Sequence, residues 1–269
     1  MRADATRSLR KVAAELSSFL GTTVHPVSLL HSSRIDPAEL DGQAAELLEP
    51  ALEHYLAAGG KSAVVLPLFF GPSAALTDYV PPRLAALRAR HPSADLRPAT
   101  WLVDIERPED RRIATALADR VRTTLRDRGL RRPPVLLVDH GTPQPAVTAV
   151  REHLGTQLQR ELAGEINGFG TAAMERRDGP DFAFNEPLLE QALGRPPFDQ
   201  GDVVIALQFL SPGRHAGPGG DIAQICTAAE ARHPTLRTRV TETLGSHPRL
   251  LEVLAERYRD AVRPDSSAR

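Results

Sequence analysis

Val135-Leu136-Leu137-Val138-Asp139-His140-Gly141-Thr142 is an unbroken apolar run that ends in a histidine and a glycine. Four aliphatic residues in succession suit a strand covered on both faces, as in the middle of a parallel sheet. Pro145–Ala163 follows with apolar residues at helical spacing, so the segment reads as strand, turn and crossover helix. The same alternation runs through the chain. Val27–Leu30, Ala63–Phe70, Leu96–Val103, Asn167–Met174, Val203–Leu210 and Arg239–Leu244 are further expected strands. Thr6–Leu20, Gly42–Ala58, Pro81–Ala89, Arg107–Arg128, Glu186–Leu193, Asp221–Arg232 and Pro248–Val262 are expected helices. The predicted class is α/β, with parallel sheets flanked by helices.

Working outward, an internal repeat becomes visible. AVVLPLFFGP at Ala63–Pro72 matches VVIALQFLSP at Val203–Pro212, and Arg90-His91-Pro92 matches Arg232-His233-Pro234. The helix Thr6–Leu20 aligns with Val147–Leu162. The expectation is two duplicated halves, 1–128 and 129–269, joined through the Arg- and Pro-rich stretch Arg126–Pro134 and ending in a frayed tail at Pro264–Arg269. On this register the first half starts directly with its helix and lacks the opening strand that Val135–Val138 gives the second. Either the duplicate has lost that strand or the start codon is placed too late.

Composition narrows the function. At 269 residues, with 41% hydrophobic and 25% charged residues, the chain can bury a core without covalent staples. No segment approaches the length of a membrane span. A net charge of -1 with mixed signs gives no footprint for nucleic acid or an anionic membrane. The one cysteine, Cys226, rules out an internal disulfide or a multi-cysteine metal site and reads as helix filler. No apolar leader is seen, so the cytoplasm is the expected compartment. No GxxxxGK[ST] loop is present, which argues against nucleotide use.

Three strand ends carry candidate chemistry. In open parallel sheets, ligands bind beyond the carboxyl ends of strands, where His140 stands. Val203–Leu210 ends in Ser211-Pro212-Gly213-Arg214-His215-Ala216-Gly217-Pro218-Gly219-Gly220-Asp221, a loop whose glycines permit close approach to a flat ligand and a mobile rim. Asn167–Met174 ends in Glu175-Arg176-Arg177, which supplies a carboxylate and two guanidiniums able to pair with substrate carboxylates. Taken alone, the His140 segment reads evenly as a site or a structural turn, while the His215 loop and the Glu175–Arg177 cluster read first as a solvated turn and a surface charge cluster. Together, two imidazoles and a carboxylate imply a metal site: neutral histidine is both a borderline-soft ligand and a base near neutrality. The same trio would serve a zinc hydrolase. His25, His54, His91, His153 and His233 lie in helices or beside prolines and read as structural, His247 follows the last strand, and His31 is open.

These motifs resemble the class II chelatases of the sirohydrochlorin cobaltochelatase and ferrochelatase group, the CbiX or SirB type. Leu137-Val138-Asp139-His140-Gly141-Thr142 looks like that family's strand-end His-Gly-Ser motif, and Phe209-Leu210-Ser211-Pro212-Gly213-Arg214-His215 with Asp221-Ile222 resembles its Phe-Leu-x-x-Gly-x-His … Asp-Ile motif. Thr142 in place of serine is a mild departure, and Arg176–Phe184 looks longer than in compact relatives. The resemblance implies two flavodoxin-like, four-stranded halves facing across a cleft. It implies His140, His215 and Glu175 as metal-handling and proton-accepting residues, with Arg214, Gly213, Ser211, Gly141, Thr142, Arg176 and Arg177 contacting substrate. The first half carries Ala75 where the second has His215, His31 roughly where it has Glu175, and nothing matching His140, so it is expected to be degenerate.

The expected activity is ATP-independent insertion of Fe2+ or Co2+ into sirohydrochlorin, with no permanently bound cofactor. Insertion of Ni2+, another tetrapyrrole substrate, a non-catalytic tetrapyrrole or metal carrier, and a metal-dependent hydrolase are the rival readings. A monomer and a homodimer are both compatible with the sequence.

Overall fold

A computed structural model describes residues 3–30, 32–245 and 247–263. His31 and the expected tail at 264–269 lie outside the described residues. The chain forms two compact units, one made of Met1–Leu102 with Leu250–Arg269, the other of Val103–Arg249.

The second unit contains helix α4 (Arg112–Arg128), strand β5 (Pro134–Asp139), α5 (Pro145–Glu161), β6 (Gly168–Ala173), the short α6 (Leu189–Ala192), β7 (Gly201–Leu207), α7 (Asp221–Arg232) and β8 (Leu236–Val240). Its four strands are all parallel, in the order β6-β5-β7-β8. Strand β5 is buried at every residue, as its uninterrupted apolar run requires. Leu136 and Val138 share a core with Ile205 and Leu207 of β7, Leu189 of α6 and Ile222, Cys226 and Ala229 of α7. Leu137 points to the other face, towards α5, where Gly155 leaves no Cβ between the helix and Thr171 of β6. Helices on both faces thus account for the absence of polar alternation.

The first unit contains α1 (Ala3–Leu20), β1 (Val27–Ser28), β2 (Glu46–Leu47), α2 (Leu48–Ala57), β3 (Ser62–Val65), α3 (Val80–Arg90), β4 (Asp95–Pro98) and, from its third residue on, α8 (Pro248–Val262). In place of an expected four-stranded sheet it holds two parallel pairs, β1 with β2 and β3 with β4. The reason is visible in the other unit, where β5 joins β6 to β7. Among the described residues nothing takes that central place beside β3. Val27, Ala63 and Val65 nevertheless pack on one core made by Leu52 and Leu56 of α2, Leu84 and Leu87 of α3, and Leu96 of β4.

The compact units and the sequence repeat divide the chain differently. Helix α4, from the first half of the repeat, buries Ile113, Ala114, Leu117 and Val121 and is tied to the second unit by Arg122, which donates to Glu165 at 2.8 Å and to the Glu161 carbonyl at 2.7 Å. Helix α8 is held in the first unit by Arg257, which donates to the carbonyls of Trp101 and Leu102.

Several boundaries also moved. The expected helix 42–58 begins only at Leu48, because Asp41 and Gly42 adopt left-handed backbone that closes a 3-10 turn, and Glu46–Leu47 pairs as β2. The expected helix 186–193 shrinks to α6, since Glu186 and Leu188 adopt extended backbone. The strand expected at 239–244 is centred earlier, on β8. The chain beyond it stays hydrogen-bonded, Leu244 N–H donating to the Phe209 carbonyl.

Candidate active site

The carboxyl ends of β5, β6 and β7 bring three of the expected residues together. His140 follows β5, Glu175 lies just past β6 and His215 sits in the loop after β7. The rings of His140 and His215 meet edge to face, with centroids 4.6 Å apart and planes at 78°. The Glu175 carboxylate lies 3.4 Å from His140 Nε2. All three side chains retain solvent access. Among the described residues no three His, Cys, Asp or Glu side chains gather at metal-ligating geometry; the trio is a pair of imidazoles with a carboxylate against the first.

Each imidazole has one nitrogen committed. His140 Nδ1 lies 3.0 Å from the Gly141 carbonyl oxygen. A carbonyl only accepts, so Nδ1 carries a proton, and in the neutral ring Nε2 keeps its lone pair. His215 Nδ1 lies 2.6 Å from Asp221 Oδ2, and by the same argument the neutral ring keeps its lone pair on Nε2. This is how ligating or proton-accepting histidines are usually oriented, through the nitrogen that does no chemistry.

The His140 turn is set in dense backbone. Gly141 has φ +91°, and a Cβ there would stand 1.8 Å from the Glu175 carbonyl oxygen, so the position admits only glycine. Glu175 N–H donates to the His140 carbonyl at 3.1 Å, and Met174 N–H to the Asp139 carbonyl at 2.8 Å. The Asp139 side chain accepts from Gly141 N–H at 3.1 Å and from Arg151 at 3.2 Å. Burial pushes the Asp139 carboxyl above its ordinary range, against the opposing pull of Arg151.

The His215 loop was expected to be a mobile rim, yet it is closely packed. Ile222 N–H at the start of α7 donates to the His215 carbonyl at 3.1 Å, and Gly217 N–H to Gly213 at 3.0 Å. A Cβ on Gly220 would come within 3 Å of the carbonyls of Arg214, His215 and Gly217. The glycines serve this crossing of backbone on backbone.

The remaining expected contacts divide. Ser211 and Gly213 are half-buried in the loop. Thr142 is held by Asn185, whose Oδ1 accepts from its N–H at 2.9 Å. Arg214 is exposed, its Nε 3.8 Å from Asp221. Arg177 is exposed, with its guanidinium 5.8 Å from the Phe182 ring centroid. Arg176 is drawn onto its own loop, 3.1 Å from Glu186 and donating to the carbonyls of Arg177 and Gly179. Away from the site, His247 lies 3.6 Å from Asp119. A cavity of about 370 Å³ lined by Arg131, Arg132 and Asp202 opens at the amino ends of the strands, opposite the histidines.

Three site residues were not assigned from sequence: Asp221, Arg151 and Asn185. Asp221 stood inside the motif already quoted for His215. Arg151 left a trace, being a charge on the apolar stripe of α5 that also buries Thr148, Leu154 and Leu158. Asn185 left none, because the partner that ties it to the His140 turn, Thr142, lies 43 residues away.

Comparison with known proteins now adds to the geometry. The CbiX family profile matches residues 134–261. No curated protein matches the chain. Among solved structures, SirB from Bacillus subtilis with Fe3+ superposes with a TM-score of 0.66 at 16% identity, covering 96% of this chain and 89% of that one. The sirohydrochlorin chelatase SirB of Bacillus subtilis subspecies spizizenii in complex with cobalt gives 0.64 at 15%, covering 96% and 88%. CbiX, described as the terminal enzyme of siroheme biosynthesis in denitrifying bacteria, gives 0.58 at 14%, covering 97% and 94%. No described helix is long and apolar enough to cross a membrane. Residues 134–261 thus match the CbiX family profile, and over nearly its whole length the chain has the fold of the SirB and CbiX structures.

Proposed function

We propose that this protein inserts a divalent metal, Fe2+ or Co2+, into sirohydrochlorin or a closely related tetrapyrrole, and that the second half of the repeat carries the chemistry. The observation that carries the reading is the His140–His215 pair, two imidazoles in contact at adjacent strand ends, each oriented through Nδ1 so that Nε2 is the nitrogen left for chemistry. Metal insertion needs a donor that binds the incoming ion yet releases it, and a base for the two pyrrole N–H protons that the metal replaces. Imidazole nitrogen does both near neutral pH. Two side-chain donors leave coordination positions open for the macrocycle nitrogens.

In this scheme the metal enters as substrate on Nε2 of His140 and His215 and passes to the four pyrrole nitrogens. Glu175, beside His140 Nε2, takes up the displaced protons and returns them to solvent. Arg214 and Arg177 present exposed guanidiniums to the substrate's peripheral carboxylates. Arg176 shapes the loop that carries Arg177. The first half, with Ala75 and His31 at the corresponding positions, provides no second catalytic set. The family match and the relatives' printed activities support the choice of substrate.

Anaerobic spectrophotometry of sirohydrochlorin with Fe2+, Co2+ and Ni2+ in turn tests the reading. The expected result is metal-dependent acceleration over the uncatalysed background, with Fe2+ or Co2+ ahead of Ni2+. Binding of the tetrapyrrole with no acceleration would instead favour a carrier, and absence of binding would remove this substrate class.

A further inference from the structure

We infer that Asn185 and Arg151 are positioning residues that set the tautomer and direction of the His140 imidazole. The Gly141–Thr142 peptide is planar, so its carbonyl and its N–H turn together. The carbonyl, Gly141 O, accepts from His140 Nδ1 at 3.0 Å. The N–H, on Thr142, donates to Asn185 Oδ1 at 2.9 Å. Asn185 therefore grips the same plane that His140 leans on. It holds the next group as well, its Nδ2 donating to the Thr142 carbonyl at 2.8 Å and to the Phe182 carbonyl at 3.1 Å.

Arg151 locks this arrangement from beneath. Its Nη1 bridges Asp139 Oδ1 at 3.2 Å and the Asn185 carbonyl at 3.1 Å, and its Nε reaches Glu152 at 2.8 Å. Arg151 is 1% exposed and Asn185 is fully buried. Buried polar groups of this kind are retained only when their bonds are made. Here three of the bonds end on residues 139–142, the turn that presents His140, and a fourth ties Arg151 to Asn185.

The consequence is specific. Without Asn185 the 141–142 plane is free to rotate, Gly141 O leaves Nδ1, and His140 reverts to the Nε2–H tautomer common in exposed imidazoles. That tautomer has no lone pair on the nitrogen facing Glu175. Loss of such outer support around a metal-handling histidine typically costs about 10- to 100-fold in metal affinity or activity.

The test has one arm independent of the chelatase reading and one that rests on it. In the first, 15N spectra of the histidine side chains are recorded above the ordinary imidazole pKa, without metal. Wild type should show His140 as the Nδ1–H tautomer, and Asn185→Ala and Arg151→Met should shift it towards Nε2–H while His215 stays unchanged. Arg151→Lys and Asn185→Asp, which keep one of the native bonds, should recover part of the wild-type signal. In the second arm, Co2+ titration and insertion kinetics should show about tenfold or greater loss in metal affinity and a raised KM for metal, with KM for the tetrapyrrole within about twofold of wild type.

An unchanged His140 tautomer in the alanine and methionine variants, with only a lowered Tm, would overturn the inference. If those two variants do not fold, the Asp and Lys variants decide by the same spectrum. If wild type neither binds Co2+ nor inserts it, the chelatase reading fails and the tautomer arm still decides this one.

Discussion

Two strands that echo each other in sequence behave differently in this molecule. VVIAL in β7 is buried from Val203 to Leu207, whereas its repeat mate around β3, AVVL, is only half-buried from Ala63 to Leu66. The residues are equally apolar, so the difference is not in the strands. β7 has β5 on one side and β8 on the other, while among the described residues β3 pairs with β4 alone. A strand's burial depends on its neighbours as much as on its own hydrophobicity. The same contrast holds for chemistry. The strand ends of the second unit bear His140, Glu175 and His215, and the turn after β3 carries Ala75.

The largest expected effect sharpens the chemical side of this contrast. His140→Ala and His215→Ala should each lower metal insertion by about 100-fold or more, the usual reach of a lost base or ligand. Thr77→Ala and Asp78→Asn, exposed in the matching segment of the first unit, should leave the rate within about twofold. A comparable loss from the first-unit variants would break the asymmetry.

Next comes the turn itself. Gly141→Ala combines a positive φ with a Cβ lodged against the Glu175 carbonyl, for an expected cost of about 2–4 kcal/mol and a matching collapse of activity. Thermal denaturation reads the first and insertion assays the second. The αL glycine with open space at Gly59 should lose only about 1 kcal/mol on the same change.

The packing contrast predicts a smaller difference. Val204→Ala, at a fully buried position of β7, should cost about 2–3 kcal/mol, and Val64→Ala, half-buried in β3, about 1 kcal/mol. Urea titration of each variant measures this.

A last probe follows from composition. The chain has one tryptophan and one cysteine, and they fall in different units, Trp101 in the first and Cys226 in the second. Burial pushes the Cys226 thiol up to about 11, so native protein should resist alkylation near pH 8 and react once the second unit opens. In rising urea, the Trp101 fluorescence change should precede Cys226 exposure. Coincident transitions would mean that the two units unfold as one. The raised thiol pKa also has a stability consequence. The neutral thiol's contribution is complete below pH 9 and is lost as pH rises towards 11.

Much of this was legible in advance for a physical reason. Strand existence, parallel pairing and the strand-end placement of His140, Glu175 and His215 follow from local pattern: apolar runs, crossover helices and turn residues adjacent in the chain. The limits were also physical. That Glu46–Leu47 pairs with β1 depended on a left-handed turn at Asp41 and Gly42. That Arg176 turns onto Glu186 rather than outward depended on the path of its loop.

The α/β class, the internal echo and the strand-end placement of His140, Glu175 and His215 are each written in neighbouring residues. The packing of the whole chain decided that α4 and α8 leave their own repeats for the other unit, and that β1 and β3 go unjoined. It also decided that Asn185, Arg151 and Asp139 close around the His140 turn. Those outcomes depend on groups far apart in the chain, and no local pattern encodes which distant carbonyl a buried guanidinium or amide will meet.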